Sequence, residues 1–181
     1  SKKASEYLNN FARLMRLILQ NSRSNYISLK DELEALELYL QMESLRFNNK
    51  FNYSIHVDNT LDQSSTLIPP MLIQPYVENA IWHGLMHVEG PKNISIDFTQ
   101  EQQRITCTIE DNGIGIRESE KLKVSHRSRH KSVGLENLYN RIKILNEKYD
   151  TDCSLEVTDL HQNGNGKKGT LVVLSFNIVN L

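Results

Sequence analysis

The chain has 181 residues, of which 39% are hydrophobic and 24% charged, enough to bury roughly 70% of its unfolded surface in one core. Its net charge of −1 excludes a global basic field that would draw it to nucleic acid or a membrane surface, so any electrostatic attraction is local. Cys107 and Cys153 are too few and too isolated for a disulfide framework or a thiolate metal site. No apolar run reaches the ~20 residues of a membrane span and "SKKASEYLNN" lacks a signal-peptide core, so the chain is expected to be cytoplasmic and not membrane-inserted.

Residues 4–20 place Leu8, Phe11, Leu14, Met15, Ile18 and Leu19 at helical spacing, an apolar stripe that requires a partner. "NSRSN" interrupts it. Ser28, with Asp31 three residues on, reads as the N-cap of a second helix whose inner face holds Leu29, Leu33, Leu36, Leu40 and Leu45. Two amphipathic helices on a short polar link predict a helical hairpin over residues 1–47, and packing of both on the domain C-terminal to them is the other arrangement that fits.

From residue 48 the pattern changes to strands. "FNYSIHV", "NISIDF" and "RITCTI" alternate, with Ile94, Ile96 and Phe98, then Ile105, Cys107 and Ile109, each on one face, and "TQEQQ" joining the last two as a hairpin. "CSLEVTDL" and "TLVVLSFNIV" flank the Gly-rich turn "HQNGNGKKG". Helices are predicted near 70–85 and 135–149. The fold class is α+β, a two-layer sandwich of a mixed, mostly antiparallel sheet with helices on one face, preceded by the hairpin.

The polar content of "PYVENAIWHG" is concentrated on one side of its helix. Ile73, Val77, Ala80 and Ile81 form an apolar back, and Asn79, Trp82 and His83 a polar front close to Glu78. Taken alone, that front reads as a solvated surface. "EDNGIGI" then places Asp111 at a strand's end, with Gly113 and Gly115 free of a Cβ where a ligand could approach, although Asp-Asn-Gly is also ordinary turn chemistry. Residues 116–133 show no sustained period and read as an 18-residue lid or binding loop. Six cationic side chains (Arg117, Lys121, Lys123, Arg127, Arg129, Lys131) stand there against Glu118 and Glu120, a net of +4 suited to a polyanion. Gly134 opens the following helix, whose free amides and positive dipole end favour an anion.

In order, E-N-A-I-x-H-G on a helix (Glu78–Gly84), D-N-G-I-G after a strand (Asp111–Gly115), a basic lid, G-L-x-N (Gly134, Leu135, Asn137) and G-T before a strand (Gly169, Thr170) resemble the four boxes of the Bergerat-type ATP-binding domain. That domain is shared by histidine kinases, type II topoisomerases, 90-kDa heat-shock chaperones and mismatch-repair ATPases. "PPMLIQPYVENAIWHG" and "ISLKDELEALELYLQMESLRF" extend the likeness over nearly the whole chain to sensor histidine kinases of the LytS/YesM type.

The resemblance implies ATP and Mg²⁺ as cofactors, with residues 48–181 as the catalytic domain. Asp111 would accept from the adenine amino group, Asn79 would give its amide oxygen to Mg²⁺, and Glu78 would orient and polarise the nucleophile. Gly113, Gly115 and Gly134 would line a backbone cradle, Leu135 and Asn137 complete the third box, and Thr170 would sit beside Asp111. Trp82 stands where the family often has a basic residue, leaving a phosphate contact to His83 or to lid lysines such as Lys131. Trp82 itself reads either as a stacking wall of the pocket or as packing. Ser132 stands where a glycine commonly precedes "xGL".

None of the six histidines has the context of the family's phospho-acceptor. The acceptor helix is therefore expected before Ser1, together with sensor segments anchoring the full-length protein in the bacterial inner membrane. The implied partners are a response regulator and a second copy, as a homodimer through the N-terminal helices. Two competing functions remain: an ATPase of the topoisomerase, chaperone or mismatch-repair kind, and a degenerate nucleotide-binding interaction module.

Overall fold

In the computed structural model, which describes residues 2–47, 51–125, 133–163 and 166–178, the chain runs as two N-terminal helices followed by a five-stranded sheet with its helices. Helix α1 (Lys2–Asn21) packs along α2 (Leu29–Arg46). Ser28 caps α2 as its position predicts, its hydroxyl accepting from the Asp31 amide at 3.1 Å. Only Leu14 of the α1 stripe is fully buried, while Leu8, Phe11, Met15 and Leu19 stay exposed. Helix α2 does more than complete a hairpin. Leu29, Leu36 and Leu40 have no exposed surface and belong to the same hydrophobic core as the sheet residues, so the core is continuous across residue 47.

A short antiparallel pair, β1 (Ile27–Ser28) with β3 (Leu67–Ile68), pins the start of α2 to the segment that leads into the next helix. The main sheet takes β2 (Phe51–Val57), β4 (Lys92–Glu101), β5 (Arg104–Asp111), β7 (Thr170–Asn177) and β6 (Ser154–Asp159), in that spatial order. The β2–β4 pair is parallel and the other three are antiparallel, the mixed sheet expected from the alternation pattern. Strand β4 continues through most of "TQEQQ" and β5 starts directly after it, leaving Gln102, at φ +54°, and Gln103 as the turn. Ile94, Ile96, Phe98, Ile105, Cys107, Ile109, Leu174 and Phe176 are buried on the helix-covered face. Ser54, Ser95, Thr108 and Ser175 lie on the other, which carries no helix among the described residues.

Two predictions about the helices change. The segment predicted near 70–85 becomes α3 (Gln74–Asn79), a π-turn (Ala80–Gly84) and a 3₁₀ turn (Leu85–His87), and Pro69–Ile73 form a turn that leads into it. The supposed structureless loop begins as a helix, α4 (Gly115–Ser125), and α5 (Val133–Tyr149) follows the lid. Helix α4 takes its start from the tertiary structure. The Asp159 carboxylate, from β6, accepts from the Arg117 amide at 3.0 Å and so caps a helix 42 residues away in sequence. No helix among the described residues is long and apolar enough to cross a membrane.

Candidate nucleotide site

One transverse row of residues crosses all five strands: Tyr53, Ile94, Asp111, Thr170 and Asp159. Asp111 ends β5 and is almost fully buried. Its Oδ1 accepts from the Gly113 amide at 2.7 Å, while Oδ2 is buried with no hydrogen-bond partner among the described residues. Burial raises its pKa from 3.8 to about 7, against the opposing pull of the Gly113 and Thr170 amides, with the charges of Glu110 and Asp159 adding to the rise.

Glycines make room for this carboxylate. A Cβ on Gly84 would stand 2.9 Å from Asp111 Oδ1, and one on Gly113 would stand 2.5 Å from the Gly84 backbone. Gly169, at φ +116°, approaches so closely that a Cβ there would lie 1.8 Å from the Asp111 carbonyl oxygen. The Ile114 amide donates to the Gly84 carbonyl at 3.3 Å, tying the "DNGIG" turn to the end of the π-turn.

Above Asp111 lies an open pocket of ≈ 620 Å³, solvent at its mouth included. Its walls are largely apolar, with Ala80, Ile116, Leu138, Val157 and Val172 among them, and its polar side chains include Asn79, His83, Ser119, Glu120 and Thr170. Asn79 donates its amide nitrogen to the Pro75 carbonyl at 2.8 Å, so the group it has to offer a ligand is the amide oxygen. Glu78, one residue earlier, accepts from Gln74 Nε2 at 2.9 Å. Gly115, at φ +77°, opens α4 against Asp159 and His161. The Asp159 carboxyl is held below its ordinary range. Burial works to raise it, but the Arg117 and His161 amides and the His161 ring outweigh that effect.

The structure thus brings Asn79, His83, Asp111, Gly115 and Thr170 around one pocket, with Gly113 directly behind Asp111 and Glu78 beside Asn79. Gly134 and Leu135 lie in the first turn of α5, and Asn137 is exposed on that helix and does not line the pocket. Lys131 and Ser132 fall outside the described residues, as does the central part of the basic lid. Trp82 is packing, not pocket wall. It leans on the core toward α2, where the Arg46 guanidinium lies 4.2 Å from its ring centroid. Sequence reasoning missed Gly84, Ile116, Ser119 and Glu120. Gly84 stood in the quoted motif, but its contact with Asp111 is long-range, and the other three needed α4.

A family profile described as "Histidine kinase" matches residues 1–51. The sensor protein LytS of Staphylococcus saprophyticus is 34% identical over 166 residues, covering 90% of this chain and 27% of that protein. The chain spans about a quarter of the length of that protein and of the LytS sensor protein of Staphylococcus haemolyticus. In fold, it superposes on the catalytic domain of histidine kinase ThkA with a TM-score of 0.54 at 14% identity, covering 84% of this chain and 94% of that one. ThkA in complex with the response regulator protein TrrA matches with a TM-score of 0.50 at 12% identity, covering 97% of this chain and 49% of that one.

Proposed function

We propose that this chain, 34% identical to a LytS sensor protein, is the catalytic region of a sensor histidine kinase of the LytS type, binding Mg-ATP in the pocket above Asp111 for phosphoryl transfer to a histidine. The observation that carries this reading is Asp111 Oδ2, a buried acceptor without a partner among the described residues, at the floor of a largely apolar pocket. An unpaired buried acceptor costs about 1–3 kcal/mol, and an adenine amino group would satisfy it where the guanine carbonyl would not. Ala80 and Val172 give the pocket apolar lining of the kind a planar base needs, with Thr170 next to Asp111 along the strand row.

Asn79 fits Mg²⁺ because its oxygen is the uncommitted end of the amide. When bound, Mg²⁺ would neutralise phosphate charge. Glu78, oriented by Gln74, would take the proton from the attacking nucleophile or hold it in line. His83 at the pocket rim and Lys131 in the lid are the side-chain candidates for phosphate, and the amides of the first turn of α5, at Gly134 and Leu135, offer donors.

The phosphate acceptor, the response regulator that would receive the phosphoryl group and the membrane anchor are all proposed to involve segments or proteins beyond this chain. A second copy is proposed to cover the exposed Leu8, Phe11, Met15 and Leu19 of α1. Calorimetric titration tests the nucleotide reading. Mg-ADP should bind, Mg-GDP should bind far more weakly, and Asn79→Ala should abolish the effect of Mg²⁺ on ADP affinity. Absence of ADP binding, or equal affinity for the two nucleotides, refutes it.

A further inference from the structure

The entry to α3 is held by groups from two other helices. Met71 adopts φ +57°, a left-handed conformation that L side chains rarely take, between Pro70 and the start of α3. Glu32 of α2, almost fully buried, reaches this turn with both oxygens: Oε2 accepts from the Met71 amide at 3.1 Å and Oε1 from the Ile73 amide at 2.9 Å. From the other side Arg141 of α5 donates to the Met71 carbonyl. The N-cap position of α3 is Ile73, which makes no side-chain cap, so the carboxylate of another helix does that work.

Helix α3 is only six residues long and gives way to a π-turn after Asn79. Its register is therefore fixed largely from its entry, and Glu78 and Asn79 stand five and six residues beyond Ile73. Asp111, by contrast, is placed by the sheet and by Gly169. Gly84 and the Ile114 amide tie the end of the π-turn to the Asp111 turn, whereas the start of α3, which sets the cation-facing amide, is held through Glu32.

We propose that Glu32 is a positioning residue which, together with Arg141, sets where Asn79 and Glu78 stand over the nucleotide pocket. It also joins α2, the helix bearing Glu78 and Asn79, and the helix C-terminal to the lid into one mechanical unit. The proposal rests on the Mg-nucleotide reading of the pocket.

Glu32→Gln removes one acceptor and places an N–H against a backbone N–H, which displaces the turn without touching the pocket. The experiment titrates this chain and its variant with ADP, with and without Mg²⁺, and monitors the single tryptophan, Trp82, to establish the folded state. The expected result is an unchanged affinity for Mg²⁺-free ADP and a fall of about tenfold in the strengthening that Mg²⁺ brings, since a displacement near 1 Å suffices for such losses. A purely structural role would leave that ratio alone. If wild type binds ADP with a Mg²⁺ effect and folded Glu32→Gln keeps the same effect, this inference is overturned and the nucleotide reading stands. If wild type binds no ADP, both fall. Should Glu32→Gln fail to fold, Arg141→Lys, which loses the planar fork at the Met71 carbonyl, carries the test, and an unchanged Mg²⁺ effect in that variant overturns the proposal.

Discussion

Replacing Asp111 with Asn should stabilise the nucleotide-free protein at alkaline pH while damaging its ligand site. Burial raises the pKa of this carboxyl from 3.8 to about 7, roughly three units, which is worth ~4 kcal/mol at 1.36 kcal/mol per unit. A carboxyl whose folded pKa lies above its unfolded value favours the fold below the unfolded pKa, and that contribution is lost as pH rises through the folded one. Wild type therefore bears the whole cost above about pH 7, whereas Asn carries no titratable proton. Asn can keep the Gly113 bond through its Oδ1, so the pH dependence isolates ionisation from the hydrogen bond. In urea titrations, the stability of Asp111→Asn relative to wild type should improve by ~2–3 kcal/mol between pH 5 and pH 8. Its amide nitrogen would face the adenine amino group, donor against donor, and weaken ADP binding by ~1–3 kcal/mol, roughly 5- to 150-fold in Kd. Parallel stability curves for the two proteins over that pH range would refute the assignment of a buried, neutralised carboxyl.

Glu78→Gln should leave ADP affinity intact and slow phosphoryl transfer in the full-length kinase by ~10²–10⁴, the range for loss of a positioned base, as followed by acid-labile phosphate. Gly169→Ala forces a Cβ to 1.8 Å from the Asp111 carbonyl oxygen at φ +116°, so a loss of ~3 kcal/mol or more in urea unfolding is expected. Leu36→Ala, at a fully buried position of α2, should cost ~2–5 kcal/mol and lower the sheet's unfolding midpoint with it. Independent melting of α2 and the sheet would show that the core is not continuous.

Legibility in the sequence followed the range of the forces involved. The Ser28 cap, the alternation of β4, β5 and β7 and the apolar back of α3 are local patterns, and they appear in the structure where the sequence places them. Asp111 was legible as a strand-end carboxylate beside turn glycines. Helix α4 was not, because half of "IRESEKLKVS" is charged and its initiation depends on Asp159 and on the positive φ of Gly115. The placement of Trp82 was equally hidden. Helical spacing puts it on the polar front, but the ring is claimed by Arg46, which arrives from α2. Glu32 looked like one more acid on a helix with several, and only the closed chain shows that it meets the Met71 and Ile73 amides.

The row Tyr53–Ile94–Asp111–Thr170–Asp159 has a consequence for folding order. Asp111 and Thr170 become neighbours only when the C-terminal strand pairs with β5 across nearly 60 residues of sequence, and Asp159, which starts the α4 wall, joins only when β6 pairs with β7. A one-residue slip at either ladder would turn the pocket floor to the opposite face of the sheet. Nucleotide binding, as proposed for this pocket, would therefore be an all-or-none reporter of strand register. A ligand that binds only the correctly registered sheet shifts the folding equilibrium by RT ln(1 + [L]/Kd), about 2.7 kcal/mol at a hundredfold excess over Kd. For a chain whose last structural strand completes its site, saturation with nucleotide during refolding would act as a proofreader of topology, raising the yield of native protein without contacting the segments that misalign.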